Sequence, residues 1–430
     1  MDTLGNNVIG DNQAAGRIRW ILPVILMVTV FIGYLDRQVI SIALPKIAET
    51  YGWTKAQTGA YGGNIMSIFY VAYGLANILF SPIGEHFGAR KSMLVVVILW
   101  SLFTALGGVF GLMFTAFIIT RVMLGFSEGI HFPMMNLLTK EWFPMSERSR
   151  GNGIYVVGIF IAGILAPIMI VPLVAAFGWR WMFVILGCIG MGISFPLIWK
   201  FIYDTPRKHP SITQEEVDYI EEGMEKDQEI IEGSFWKQIR PFVMSLPFWV
   251  VLLGGIMNNA IAQGILSWLP TYFTQERGLP FKDLWYAVSL PFLFSILGVL
   301  VWAYFGDKTN RRALIAAIGF IFTAFIAYFA VTAATIFLTV ILFSITIFIN
   351  MTYPSNEYAI VQRILPKNRV GTGVGLYNGL AMMIGGGLGP VIIGTVVSAT
   401  GSYTSGLLTL AALCFVAAFV MFVVHKVVRY

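Results

Sequence analysis

The sequence predicts an all-α membrane protein with twelve transmembrane helices, arranged as two six-helix bundles around a central cavity. First, 57% of the 430 residues are hydrophobic and only 12% are charged, whereas soluble domains have roughly 25% charged residues. Second, the chain contains twelve apolar runs of about 20 residues, the length that crosses a bilayer. Third, the two halves carry a similar charged loop at the same place, as duplicated bundles do.

The apolar runs divide the chain into two halves. A polar N-terminal tail (1–18) precedes the first bundle (19–203), and a polar linker (204–243) separates it from the second bundle (244–430). The predicted spans are 19–44, 58–82, 92–112, 114–138, 151–175, 180–203, 244–273, 284–305, 312–333, 335–361, 370–397 and 403–426.

The basic residues indicate the orientation of the chain in the membrane. With both termini in the cytoplasm, 21 of the 28 Lys and Arg residues fall in cytoplasmic loops and tails, as the positive-inside rule requires. We therefore predict a multi-pass protein of the plasma (inner) membrane. The same rule accounts for most of the net charge of +6, so a nucleic-acid partner is not needed to explain it.

No histidine cluster, CxxC pair or Walker-type loop is present, which argues against a metal site, a zinc hydrolase and an ATP-driven pump.

The linker contains the pattern of a short amphipathic helix. Thr213 stands three residues before Glu216, which is an N-cap pattern, and Val217, Ile220 and Met224 recur at helical spacing. We predict a short cytoplasmic helix. A solvated connector between the halves and a regulatory site are both consistent with it, and the connector is the simpler interpretation.

The loop after the second span, SPIGEHFGARK, is similar to the loop after the eighth, AYFGDKTNRRA. Each places an acid ahead of a basic residue: Glu85 ahead of Arg90, and Asp307 ahead of Arg311. An acid at this position can bond helix N-termini and basic side chains of the facing half, so we predict that these four residues form a cytoplasmic gate. The positive-inside rule alone would explain the basic residues of both loops, but it would not explain why an acid precedes the basic residue in each.

This loop resembles the signature between the second and third helices of the major facilitator superfamily. Twelve spans with a long central linker fit that family along the whole chain. The loop departs from the signature where Glu85 replaces an aspartate, His86 an arginine and Ser81 a glycine. The resemblance implies two bundles that expose a central cavity alternately to either side of the membrane.

Four ionisable residues lie well inside the predicted spans: Asp36 and Arg37 in the first, Arg121 and Glu128 in the fourth. Each costs a few kcal/mol or more at that depth unless it is paired or hydrated, so each is a candidate functional residue. The alternative is two ion pairs that only hold helices together. Because all four fall in spans one and four, with no counterpart in the second half, we favour a functional site.

Spacing and residue type indicate the chemistry of these four residues. Arg121 and Glu128 are seven residues apart and share a helix face, whereas Asp36 and Arg37 point about 100° apart. An arginine in a hydrated cavity offers a bidentate partner for a carboxylate. Burial and a neighbouring arginine act in opposite directions on a carboxylate's affinity for its proton, so the proton can bind and leave as the cavity opens. This combination predicts a proton-coupled carrier of an organic anion.

Three further motifs are GYLDR in the first span, RVMLGFSEGIHFP in the fourth, and AIVQRILPKNRVGTGVGLYNG before and within the eleventh. These motifs resemble the anion:cation symporter branch of the same superfamily. The branch includes bacterial carriers of galactonate, glucarate, hexuronates and phthalate, and it is related to sialin. The resemblance implies that Asp36 and Glu128 couple protons and that Arg37 binds the substrate carboxylate. Ile159 stands where sugar-acid carriers often have a glutamine, so the substrate class stays open between sugar acids, aromatic acids and dicarboxylic acids.

The resemblance also implies a wider set of site residues. Arg121 would balance the charge of Glu128 or assist binding, and Tyr73 and His131 are equally consistent with packing roles. Glu357 is a further substrate or proton group, or simply the cytoplasmic end of span ten. The predicted substrate-binding residues are Arg37, Tyr34, Tyr73, Arg121, His131, Asn258, Asn259 and Asn378.

Together these features predict a secondary active transporter rather than an enzyme. It would take up a small organic anion with a proton by alternating access, driven by the proton gradient, with no cofactor or metal, and would function as a monomer in the lipid bilayer. One alternative is an exporter or antiporter of the same superfamily. Another is a transport-inactive sensor that signals through a partner, and the lack of any polar domain beyond the linker argues against it.

Overall fold

The computed structural model describes residues 17–224, 240–365 and 370–428, without the side chains of 81–83, 85 and 370–372. Within these ranges the regular secondary structure is entirely helical. Ten helical stretches among the described residues are long and apolar enough to cross a membrane.

These ten stretches agree with the twelve predicted spans. The stretch Arg148–Phe201 holds two spans, because Gly178 breaks the helix with φ 79° and ψ 159°, a conformation that glycine adopts without steric cost. The fourth span is divided between two shorter helices. In chain order the helices are Ile21–Tyr51, Lys55–Phe87, Ala89–Val109, Phe114–Glu128, His131–Trp142, Arg148–Ile189, Gly190–Ser194, Phe195–Phe201, Gln214–Glu222, Leu246–Thr271, Tyr272–Glu276, Leu284–Thr309, Arg312–Thr332, Ile336–Asn350, Pro354–Ile364, Val370–Ala381, Met382–Gly386, Gly387–Thr400 and Tyr403–Val427.

The two similar charged loops turn at equivalent residues. Gly88 has φ 90° and Asn310 has φ 54°, and glycine and asparagine are the residues that most readily take a positive φ. Each residue separates a span from the next one, which begins at Ala89 in the first half and at Arg312 in the second. The repeat seen in the sequence is therefore also a repeat of backbone conformation.

The two halves are held together at the end of the molecule where the loop 52–54 lies, which we call the short-loop end. There Lys55 Nζ lies 3.0 Å from Glu276 Oε2. Nearer the middle of the bundle, the Tyr70 hydroxyl donates to Gln263 Oε1 at 2.8 Å. At the opposite end, which we call the terminus end, the ion pairs between described residues lie within one half, lie within the linker, or join the first half to the linker.

The linker helix Gln214–Glu222 confirms the helix predicted from the sequence. The Thr213 side chain caps its first turn by accepting a hydrogen bond from the Glu216 amide at 3.3 Å. Val217 and Ile220 are 2% and 0% exposed, so the apolar face is packed against protein. The helix is therefore amphipathic, with one face against protein and the other exposed.

A buried ionic cluster ties this helix to the first bundle. The Glu216 side chain is fully buried and accepts hydrogen bonds from Arg19 Nη1 at 3.1 Å and from the Ile18 and Arg19 amides at 3.2 and 3.0 Å. Arg19 Nε also donates to Glu147 Oε2 at 2.9 Å. The linker helix thus joins the start of the first span to the segment that follows the fourth.

We expect Glu216→Ala to release the linker helix from the first bundle. The substitution removes three hydrogen bonds to a buried carboxylate, and each hydrogen bond to a charged group contributes about 1.5–3 kcal/mol. Hydrogen exchange of the backbone amides of residues 214–222 should become faster. Glu215→Ala, one residue earlier and exposed, is the matched control and should leave exchange unchanged. Equal exchange in both variants would contradict the role given to Glu216.

Candidate functional site

The centre of the first bundle contains a buried ion pair between the first and fourth spans. Arg37 Nε donates to Glu128 Oε2 at 2.7 Å, and the two side chains are 8% and 2% exposed. The guanidinium carbon lies 4.4 Å from the centre of the Tyr34 ring and 4.3 Å from that of Tyr73. These cation–π contacts fix the position of the guanidinium, and the sequence predicted all four residues as site residues.

Two small residues bring the fourth span against the second and so position Glu128. A Cβ atom on Gly125 would lie 2.5 Å from the Phe69 carbonyl oxygen, and one on Gly129 would meet the Tyr73 carbonyl oxygen. Both Cβ atoms would lie closer to these oxygens than side-chain contacts allow. The backbones of the second and fourth spans can therefore approach only because Gly125 and Gly129 lack a side chain. This approach brings the helix that carries Glu128 against the second span.

The predicted proton-coupling acids both have unpaired oxygen atoms. Asp36 is 2% exposed, and neither of its carboxylate oxygens makes a hydrogen bond of ordinary geometry. Thr104 is its neighbouring hydroxyl, and the charges that act on it are those of Glu128 and Arg121. Glu128 Oε1 is likewise buried and unpaired. Burying an ionised carboxylate without partners is unfavourable, and binding a proton removes that penalty.

Arg121 lies apart from the Arg37–Glu128 pair. It is 2% exposed, and its guanidinium carbon is 5.3 Å from the Phe117 ring centre and 4.7 Å from that of Phe183. Its Nε and Nη2 atoms make no hydrogen bond, although its charge acts on both buried acids. The direct partner of Glu128 is therefore Arg37 rather than Arg121.

His131 occupies a packed position at the break in the fourth span. It is 4% exposed, and its Nε2 lies 3.2 Å from Thr29 Oγ1, whose hydroxyl donates to the Leu26 carbonyl at 2.9 Å. The hydroxyl proton is therefore used, and Nε2 is the donor. The ring also meets Trp100 edge-on at 5.0 Å between centroids. These contacts satisfy His131 within the first bundle.

The predicted asparagines of the second half make no hydrogen bond to the Arg37–Glu128 pair. Asn258 is 5% exposed and its Oδ1 is unpaired, whereas Asn259 donates from Nδ2 to the Gly255 carbonyl at 2.9 Å. Asn378 is half-buried in the eleventh span. Asn258 therefore retains an unused polar group, while Asn259 is partly used within its own helix.

Arg90, the first-half gate residue whose side chain is described, bonds locally, where the sixth span meets the linker. The Arg90 amide donates to Asp204 Oδ1 at 2.8 Å, and the Arg90 side chain donates to the Trp199 carbonyl oxygen. Both partners lie at the end of the sixth span. The side chain of Glu85 lies outside the described residues.

The second-half residues of the predicted gate also bond locally. Asp307 accepts a hydrogen bond from Arg312 Nη2 at 2.7 Å, and Arg312 lies in the same half and is not one of the predicted gate residues. In this structure the predicted gate residues whose side chains are described do not meet across the two halves.

One contact that the sequence analysis missed joins the halves beside the site. Tyr70 lies three residues before Tyr73, and its ring meets Phe69 edge-on at 5.3 Å. Its bond to Gln263 brings the seventh span to the edge of the site. The signal was available in the sequence, because residues three apart share a helix face and Gln263 is polar within an apolar run.

A further polar group lies in the other half, at the tenth and eleventh spans, around Glu357, whose role the sequence left open. Tyr377 donates to Glu357 Oε1 at 2.8 Å, and the hydroxyls of Tyr377 and Tyr353 are 2.7 Å apart. Tyr358, next along the chain, is 45% exposed.

Comparison with known proteins gives consistent matches along most of the chain. The family model described as "Major Facilitator Superfamily" matches residues 26–390. A D-galactonate transporter of Escherichia coli is 28% identical over 69% of both chains. A probable sulfoacetate transporter of Cupriavidus necator is 28% identical over 87% of this chain and 86% of its own, and a hexuronate transporter of Bacillus subtilis is 26% identical over 90% of both.

Solved structures share the fold. A bacterial homologue of the human lysosomal transporter Spinster, in an inward-facing and unoccupied conformation, superimposes with a TM-score of 0.79 at 18% identity, covering 97% of this chain and 98% of that one. A D-xylose–proton symporter superimposes with a TM-score of 0.74 at 14% identity, covering 95% and 98%. These structures match the arrangement of helices across nearly the whole chain.

Proposed function

The chain belongs to the major facilitator superfamily and is a multi-pass membrane transporter rather than an enzyme; from this premise we propose that it takes up a small organic anion together with a proton. Relatives named as transporters of galactonate, hexuronate and sulfoacetate support an anionic substrate. The proposal includes alternating access, an inner-membrane location and cytoplasmic termini.

One observation carries the proposal. Arg37 uses Nε to bond Glu128, while Nη1 and Nη2 make no hydrogen bond of ordinary geometry to the described part of the chain and are not among the buried unpaired atoms. They remain accessible as a pair of parallel donors. A carboxylate accepts such a pair in bidentate fashion, so the exposed edge of Arg37 is a binding site for an organic anion.

The same ion pair supports proton coupling. When Glu128 binds a proton it loses its charge, and its attraction for Arg37 weakens. The arginine is then better able to bind the carboxylate of the substrate, because a single charge no longer has two competing partners. Proton binding and anion binding therefore favour each other, and this mutual preference supports symport.

The proposal predicts proton-driven uptake by the purified protein in liposomes. Radiolabelled D-galactonate, glucuronate and sulfoacetate would be offered separately, with the outside more acidic than the inside. At least one of them should accumulate, and a protonophore should abolish the accumulation. Protein-free liposomes are the control.

Other outcomes would separate the alternatives. Uptake that ignores the pH gradient would contradict proton symport. Net efflux driven by an inward proton gradient would identify an antiporter or exporter. Binding of an anion with no flux in either direction would favour a sensor.

A further inference from the structure

The third span carries polar groups on a face that is buried inside the first bundle. Trp100, Ser101 and Thr104 are each at most 2% exposed, and we call them the polar stripe. The indole Nε1 of Trp100 and the two hydroxyl groups are buried and make no hydrogen bond of ordinary geometry to the described part of the chain. Residues three and four apart share a helix face, so the three groups lie within about one helical turn of each other.

Asp36 faces the polar stripe from the first span. A Cβ atom on Gly33 would lie 4.0 Å from Trp100 Cη2, so Gly33 and Trp100 are at the same level of the bundle. The first and third spans both run from the terminus end to the short-loop end. Asp36 and Thr104 each lie one turn further along, so they too share a level. Both carboxylate oxygens of Asp36 are buried and unpaired.

The sixth span closes the other side of the polar stripe. Its π-helical turn Gly190–Ser194 lies against the third span, because a Cβ atom on Gly190 would be 2.7 Å from Ser101 Oγ and 3.2 Å from Trp100 Nε1. The Ser194 hydroxyl is also buried and bonds no described residue. Short π-helical turns are rare and frequently occur at functional sites. Here the turn presents backbone and a hydroxyl to the stripe where an apolar side chain would otherwise pack.

Arg121 borders the polar stripe at its short-loop side. A Cβ atom on Gly107, one turn beyond Thr104, would lie 2.5 Å from Arg121 Nη2, which is buried and unpaired. The third span has no acidic, basic or histidine residue between 92 and 109, and the sixth has none between 182 and 199. The charged and titratable groups near Asp36 and the stripe therefore come from the first and fourth spans, and they are Arg37, Arg121, Glu128 and His131.

We propose that ordered water molecules between spans one, three and six bind the Asp36 carboxylate, and that this hydrated pocket is where Asp36 takes up and releases a proton. Buried polar groups are almost always hydrogen-bonded, and a bound water serves those that no side chain reaches. On release the O–H bond of the acid breaks, the carboxylate keeps the electron pair and a neighbouring water receives the proton. Water and the hydroxyls of Ser101 and Thr104 can donate to the ionised form and accept from the neutral one.

The hydrated pocket is separate from the proposed anion site. Arg37 follows Asp36 directly, so the two side chains point about 100° apart on the helix. The Nη1 and Nη2 atoms of Arg37 are accessible, whereas both oxygens of Asp36 are buried. The anion and this proton would therefore bind on different sides of the first span. The inference rests on the proposed function, because it takes uptake to be proton-driven.

Hydration of the pocket can be tested without transport, on the purified full-length protein. Synchrotron radiolysis makes hydroxyl radicals from water, including water bound inside a protein, and mass spectrometry identifies the side chains that they oxidise. We expect Trp100 to be oxidised several times faster than Trp268. Trp268 is equally buried, but its Nε1 donates to the Pro390 carbonyl at 2.9 Å, so it needs no water and is the internal control.

Thr104→Val should shift the pH dependence of uptake and leave anion binding unchanged. The substitution keeps the shape of the side chain but removes a hydroxyl, so the ionised form of Asp36 loses a partner. The external pH of half-maximal uptake into liposomes should rise by about one unit. The Kd of the anion at the acidic end of the profile should stay within about twofold of the wild type, and oxidation of Trp100 should become slower.

Two further variants show whether the hydroxyl itself is responsible. Thr104→Ser retains the hydroxyl and should retain the wild-type pH profile. Thr323→Val removes an equally buried hydroxyl of the second bundle, which bonds the Gly319 carbonyl of its own helix at 2.8 Å. It is the matched control and should leave both the pH profile and the oxidation of Trp100 unchanged.

The outcomes separate this inference from the proposed function. If uptake is proton-driven but Trp100 is oxidised no faster than Trp268, or Thr104→Val keeps the wild-type pH profile, the inference is wrong and the proposed function survives. If Thr104→Val shifts the profile and also loses affinity for the anion at acidic pH, the hydroxyl supports the anion site and the inference is again overturned. If uptake ignores the pH gradient, the proposed function fails and the proton-binding role of the pocket fails with it, even where Trp100 is oxidised rapidly.

Discussion

Arg37→Ala is expected to abolish binding and uptake of the organic anion. The substitution removes the accessible Nη1 and Nη2 donors, and truncating one partner of a buried, hydrogen-bonded charge pair costs about 2–5 kcal/mol of binding free energy, or roughly 30-fold or more in affinity. Arg37→Lys keeps the charge but offers no parallel pair of donors, so its affinity should fall between those of Arg37→Ala and the wild type. Titration of the purified protein with whichever anion the liposome assay identifies measures both effects.

A second variant separates loss of the site from loss of the fold. Arg37→Ala leaves Glu128 buried without its partner, and such an unpaired charge destabilises a protein strongly. Arg37→Ala combined with Glu128→Gln removes both charges, so it should regain thermal stability and still fail to bind the anion. Arg207→Ala, in an exposed pair with Glu221 on the linker, is the control and should bind normally. An Arg37→Ala protein that is folded and binds the anion with wild-type affinity would rule out the proposed site.

The sequence predicted the helices and the residues of the first-half site, because both depend on local pattern. A charge inside an apolar run is conspicuous wherever the run is placed, so Asp36, Arg37, Arg121 and Glu128 could be selected without a structure. The linker helix was predictable for the same reason, since Thr213 caps it and its apolar residues repeat at helical spacing.

The partners of these residues could not be predicted, because pairing depends on how the helices are rotated and how far they are shifted against one another. Arg121 and Glu128 share a helix face, and Arg121 was expected to balance the charge of Glu128 or to assist binding. In the structure Arg121 packs between phenylalanine rings, and Glu128 bonds Arg37. Glu216 belongs to an acidic stretch that pattern alone assigns to the solvated side. Its burial against Arg19 depends on tertiary packing of the linker, which no local periodicity contains.

Glu128→Gln is expected to stop proton-driven accumulation while substrate exchange continues. Glutamine has nearly the same shape and keeps an oxygen that can accept from Arg37 Nε, so the site should remain assembled. Its side chain cannot alternate between an ionised and a neutral form, however, so it carries no proton across the membrane. In liposomes the accumulation ratio should fall to about one, whereas one-proton coupling sustains about tenfold accumulation per pH unit in the wild type.

Substrate exchange distinguishes a loss of proton coupling from a loss of substrate binding. Liposomes preloaded with unlabelled anion should take up labelled anion through Glu128→Gln at a rate within about threefold of the wild type, because binding through Arg37 needs no change of protonation. Glu49→Gln, in an exposed pair with Lys46, is the matched control and should keep both accumulation and exchange. If Glu128→Gln accumulates the anion as the wild type does, the coupling proton resides on another carboxylate. Asp36 would then be the first candidate, because both of its oxygens are buried and unpaired.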